Sequence, residues 1–99
     1  MKAAEVIVFE GGDPREFSRV DAIARERALE GLSDYPGFKS MTVFEDPSLG
    51  TIHLILTFAT EYDRLETNPA IDQISRVVAL ALGARSVRRF GCPVFRARK

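Results

Sequence analysis

The chain has one cysteine, one histidine, no net charge and no long apolar run, and each shortage removes a class of function. Cys92 has no second cysteine to pair with, so no internal disulfide forms and a reducing cytoplasm is the expected compartment. No catalytic motif surrounds it and the histidine lies far away in sequence, so a packed strand thiol is a better reading than a nucleophile. No metal-ligand spacing is present, and neither a metal nor a cofactor is expected. The Gly11-Gly12-Asp13 run lacks both the Walker pattern and GxGxxG, which argues against a phosphate loop. Zero net charge removes the electrostatic footprint of a nucleic-acid binder. The opening MKAAEVIVFE is too weakly apolar for a signal peptide, and nothing approaches the ~20 apolar residues of a membrane span. Neither nucleic acid nor membrane is an expected partner.

What is present is the composition of one ordinary globular domain. The 99 residues, 45% apolar and 28% charged, have room for one sheet and two covering helices, a single domain over residues 1–99. Charge is uneven along the chain: residues 1–50 carry 6 Lys/Arg against 10 Asp/Glu, and residues 51–99 carry 8 against 4. An acidic and a basic half suit association with a second copy, although folding mixes the halves in space.

Residues 36–60 organise the rest. They read as two strands, 38–45 and 51–58, joined by the polar turn Asp46-Pro47-Ser48-Leu49-Gly50, with Ile52, Leu54, Leu56 and Phe58 alternating along the second. Before them stand a strand over 3–9 and a helix. Asp13 reads as its N-cap, Pro14 as its first residue and Glu16 as the partner in a capping box. Phe17, Val20, Ala24, Ala28 and Leu32 form its apolar stripe, broadened by Ile23. Tyr35-Pro36-Gly37 then turns the chain, with Pro36 and Gly37 suited to the centre of a type II turn. After the hairpin, Thr60 caps a short helical segment with Tyr62 and Leu65 inward. Asn68-Pro69 starts a fresh helix with Ile71, Ile74, Val77 or Val78, and Ala81 or Leu82 as its apolar face, and Gly83 ends it. A last strand over 86–95 and a basic tail complete the chain.

The order βαββαβ predicts an α+β, ferredoxin-like domain: a four-stranded antiparallel sheet with two helices on one face. The other face is left uncovered, yet both parities of strands one and three hold apolar groups: Val6 and Val8 opposite Ile7 and Phe9, and Ile55 opposite Leu54. An apolar sheet face of this kind calls for a partner, and the economical one is a second copy closing sheet on sheet into a dimeric α/β barrel. One register stays open. If Glu45 pairs with Thr51, Thr42 and Phe44 share the face of Leu54; slipped by one, Met41 and Val43 do.

The run YPGFKSMTVFED…GTIHLILTFATEYD resembles the antibiotic-biosynthesis-monooxygenase-like group of dimeric α/β-barrel proteins. In that group a Pro-Gly-aromatic turn opens the second strand, here Pro36-Gly37-Phe38. The third strand ends in an aromatic followed two residues later by Ser/Thr, here Phe58 and Thr60. The resemblance implies the fold, the homodimer and, as one alternative, cofactor-independent oxygenase chemistry. Leu56 and Phe58 stand where an acidic residue and a tryptophan are common, and Glu66-Thr67 where a histidine is. The strand-one asparagine of the haem-degrading members is also missing, so haem chemistry is not carried over.

Candidate site residues follow from facing. His53, on the less apolar parity of the third strand with Thr51, Ile55 and Thr57, is the candidate proton-transfer group. A structural histidine bonded to a neighbour is the competing reading. Arg88 and Arg89 are adjacent, so a regular strand sends one to each face; one is expected to meet a ligand anion or an inter-subunit carboxylate. Tyr62 and Tyr35 are placed to bring a hydroxyl to a pocket mouth or to pack. Two functions remain: a dimeric module that binds a small hydrophobic or aromatic molecule between helices and sheet or between sheets, and a monooxygenase- or isomerase-like enzyme using His53. Acylphosphatases share the topology, but they need an Arg-bearing Gly-rich loop after strand one that Gly11-Gly12-Asp13-Pro14-Arg15 matches poorly.

Overall fold

Alternation on the third strand settles the layers. The computed structural model describes residues 2–94. Its elements are β1 (Lys2–Glu10), a 3-10 turn (Pro14–Glu16), α1 (Phe17–Leu32), β2 (Phe38–Asp46), β3 (Thr51–Phe58), α2 (Glu61–Glu66), α3 (Asn68–Leu82) and β4 (Ser86–Val94). The strands form one antiparallel sheet in the order β2-β3-β1-β4, the ferredoxin-like arrangement. Phe95 and the basic tail expected from the sequence lie outside the described residues.

The helices cover one face. Ile52, Leu54, Leu56 and Phe58 of β3 are all within 1% of full burial and pack with Ile7 and Phe9 of β1 against both long helices. From α1 come Phe17, Val20, Ala24, Ala28 and Leu32, the predicted stripe; from α3 come Ile71, Ile74, Val78 and Leu82. Burying the Val, Leu, Ile and Phe side chains among them contributes about 1.5–3 kcal/mol each, the main force holding helices to sheet.

The register of β2 is resolved. Asp46 pairs with Thr51, which puts Val43 opposite Leu54 and Met41 opposite Leu56 on the helix side, and leaves Thr42 and Phe44 on the open face. A bulge at Lys39 shifts the pairing between Phe38 and Ser40 and returns Phe38 to the helix side. There its ring meets Phe58, tilted by 55° at a centroid distance of 5.8 Å.

Several local expectations are corrected. Asp13 caps the 3-10 turn by accepting from the Arg15 N–H, while Glu16 turns outward to Arg19; no reciprocal capping box forms. Gly37 does not take the positive φ of a type II turn. It is needed for space, because a Cβ there would lie 2.1 Å from Asp63 Cγ. Tyr62 and Leu65 are exposed, since Asp63, Arg64 and Thr67 take the inward side of α2. Thr67, not Asn68, precedes α3, and its hydroxyl donates to the Arg64 carbonyl. Gly83 ends α3 in the left-handed conformation as expected.

Three connections meet at one end of the sheet. The Gly12 N–H donates to the Gly50 carbonyl at 3.0 Å and the Arg85 N–H to the Glu10 carbonyl at 2.8 Å, tying the β1–α1 loop to the β2–β3 turn and to the start of β4. In the turn, the Asp46 carboxylate accepts from the Ser48 N–H and hydroxyl, and Gly50 closes it at φ 64. A Cβ at Gly50 would lie 2.9 Å from the Gly12 carbonyl oxygen. Gly50→Ala therefore combines left-handed backbone strain with a clash, and is expected to cost about 2 kcal/mol. Thermal unfolding should show a Tm roughly 8–16 °C lower; an unchanged Tm would mean that the turn relaxes freely.

Candidate functional site

The uncovered face is a grid that the pairings define. Across β2, β3, β1 and β4, one row reads Thr42, Ile55, Val6, Phe90 and the next Phe44, His53, Val8, Arg88. The first is apolar apart from the threonine hydroxyl, and the second places an imidazole and a guanidinium either side of Val8. Phe44 and Phe90 are about half exposed, whereas Ile55 and Val6 are partly shielded by their neighbours. Thr57 and Cys92 lie one row further on, flanking Ala4.

Beyond the second row, the three joined connections enclose an open cleft of about 350 Å3. Val8 and Leu49 supply its apolar lining, and Thr51, His53, Arg85 and Arg88 its polar lining. Arg88 is ion-paired with Glu10 at 2.6 Å near the surface. Arg85 has no carboxylate within ion-pair distance among the described residues, and its side chain lies over Gly11, where a Cβ would come 2.3 Å from Nε. Thr51 is only 8% exposed, and its Oγ1 is buried without a hydrogen-bond partner among the described residues. Leaving such a hydroxyl unpaired costs on the order of 1–3 kcal/mol. Thr51, His53 and Arg88 thus meet in one cleft; Ile55 and Thr57 continue the same face away from it.

Tyr62 and Arg89 are elsewhere. Tyr62 is on α2, where its hydroxyl donates to Glu66 Oε1 at 2.9 Å; that bond, with the adjacent negative charge, pushes the phenol pKa up. Tyr35 packs against the core. Arg89 faces the helices, in a buried charge cluster built around Glu5. Glu5 is 3% exposed and receives Arg64 Nη1 at 2.7 Å on one oxygen and Arg89 Nε at 3.2 Å on the other. Arg64 also pairs with Glu61, and Arg89 with Asp72 and the Asn68 side-chain oxygen. The Glu61 and Glu5 hydrogen bonds hold Arg64 more firmly protonated than usual, and the bond to Arg64 pulls the Glu61 pKa down. Gly91, opposite Glu5 on β4, leaves room for the Arg64 guanidinium, since a Cβ there would lie 2.3 Å from Cζ. With Arg76, which pairs with Asp72 at 3.0 Å, three guanidiniums stand against three carboxylates, and the cluster ties α2, α3 and β4 to β1. The middle of the helix–sheet layer is filled by this cluster and the apolar core, with open clefts of about 300 and 290 Å3 along its edges, between α1 and β2 and between α3 and β4.

Sequence reasoning missed the cluster and the place of Arg85 in the cleft. Glu5 interrupting an apolar strand was the visible signal for the first. Arg85 carried none, because its place depends on Gly11 coming alongside. Among the described residues no group of His, Cys, Asp and Glu could hold a metal ion, and no helix is long and apolar enough to cross a membrane.

No protein-family model and no curated protein matches the sequence. Solved structures do match. A monooxygenase from the ActVA-Orf6 gene of Streptomyces coelicolor, in complex with nanaomycin D, superposes with a TM-score of 0.78 at 14% identity, over 98% of this chain and 90% of that one. The fold is shared with antibiotic-biosynthesis-monooxygenase-like structures. SnoaB, a cofactor-independent oxygenase from Streptomyces nogalater, matches at 0.61 and 19% identity over 99% of this chain and 94% of that chain. A dimeric ferredoxin-like protein from an uncultured marine organism matches at 0.69 and 8% identity over 99% and 93%. At these identities the likeness is one of fold, and it agrees with the resemblance seen in residues 35–63.

Proposed function

We propose that two copies of the chain close their open sheet faces on each other, and that the resulting dimeric barrel binds a small hydrophobic or aromatic molecule at the cleft beside His53. The observation that carries the reading is the grid of Val6, Ile55, Phe44 and Phe90 on a face that no helix covers. A patch of this kind on a small domain is a contact surface, and a two-fold axis lets one patch serve both copies. Facing sheets sit ~10 Å apart, which fills the middle of the barrel with side chains and leaves the loop end as the place for a ligand. The dimeric marine structure of the same fold supports the pairing. Sedimentation is expected to show a dimer at micromolar concentration, and titration with small aromatic compounds, nanaomycin D among them, to perturb His53 in NMR spectra. A monomer, or spectra unmoved by every compound, would overturn the reading.

A second reading makes the dimer a cofactor-independent oxygenase or isomerase, with the His53 imidazole taking a proton from the bound compound. It is favoured by the half-buried position of His53 in the cleft and by the fold shared with SnoaB and the Streptomyces coelicolor monooxygenase. His53→Ala is then expected to lower turnover ~100- to 10,000-fold with the dimer intact. A lower Tm with turnover unchanged would make His53 structural.

A further inference from the structure

We propose that the cleft at the loop end of the open face recognises an anion, so that the molecule bound there carries a carboxylate or a comparable negative group on its apolar body. The proposal rests on the reading of that face as a binding surface, and names the chemical class of its ligand.

The charge balance of the lining points this way. Arg85 and Arg88 stand against one carboxylate, Glu10, and Glu10 is engaged with Arg88. That leaves one positive charge unmatched among the described residues of the cleft, on Arg85. A guanidinium presents five donors in a fixed fork, and an organic carboxylate is the group whose two oxygens fit that fork. Arg85 has an exposed side chain that lines the cleft. Its N–H is bonded to the Glu10 carbonyl, and its side chain lies against Gly11 in space that a Cβ would fill.

Thr51 supplies the independent observation. Its hydroxyl is buried beside the cleft with no partner among the described residues, an uncommon state for a polar atom. Val8 and Leu49 give the apolar side against which the body of the ligand lies. A cation finds no free carboxylate in this lining. A phosphate backbone would meet an apolar sheet on a chain of zero net charge.

The experiment titrates the dimeric protein by calorimetry with 1-naphthoate and with 1-naphthalenemethanol, which share an aromatic body and differ in charge. Naphthoate is expected to bind roughly tenfold to a hundredfold more tightly. The preference should shrink as salt is raised. Arg85→Ala should erase it, and Arg85→Lys should keep part of it. Equal binding of the two compounds overturns anion recognition and leaves the apolar-ligand reading standing. Failure of both to bind takes the two readings down together. A preference that survives Arg85→Ala overturns the role given to Arg85.

Discussion

Ile55→Asp is expected to split the dimer. Ile55 sits at the centre of the open face, paired with Val6 on one side and Thr42 on the other, in the row that ends at Phe90. Pressed against a second sheet, a carboxylate in this apolar row must lose its water or bind a proton. Either route costs several kcal/mol. The two-fold axis brings both substituted residues into one interface, so the penalty is felt twice and the two like charges repel. At about 2 kcal/mol per copy the dissociation constant rises about a thousandfold. Sedimentation equilibrium on wild type and variant measures this directly. If Ile55→Asp leaves both the mass and the Tm unchanged, the face is wetted and the barrel does not form. Thr42→Asp, at the edge strand of the same row, should have a smaller effect, because an edge carboxylate can reach solvent.

Glu5→Ala is expected to be strongly destabilising for a change at a charged residue. It removes the carboxylate shared by Arg64 and Arg89, whose side chains are only 16% and 22% exposed, and leaves two guanidiniums beside a cavity. Breaking one side of a buried pair typically costs 3–5 kcal/mol. Arg64 keeps Glu61, and Arg89 keeps Asp72 and Asn68, so the low end, about 3 kcal/mol, is expected. For a domain of this size that lowers Tm by roughly 12–24 °C. Glu5→Gln retains one acceptor oxygen and should lose less. A fall of under ~4 °C for Glu5→Ala, equivalent to less than 1 kcal/mol, would show that the arginines swing out to water at little cost. Neither change touches the open face, so the dimer should survive in whatever fraction remains folded.

Residues close together in sequence made much of this fold legible. Side chains alternate along a strand whatever it pairs with, so the run from Ile52 to Phe58 announced both its buried face and the opposite facing of His53. Helical periodicity did the same for α1, where all five stripe residues are buried, and a glycine with no Cβ marked the end of α3. The element order, through the handedness of crossovers, then led to the sheet. What residues 51–58 and their neighbours could not carry is pairing. The hairpin turn accommodates two registers, and packing of Met41 and Val43 under the helices, with a bulge at Lys39, decided between them. Only the tertiary structure brings Glu5 to Arg64 and Arg89, 59 and 84 residues away, and so shows which arginine of the Arg88-Arg89 pair turns inward. The cleft is likewise a product of three loops meeting, with Gly11 under Arg85 and Gly50 against Gly12. Local periodicity reports which face a residue takes; which side chains share that face is decided by contacts between distant parts of the chain.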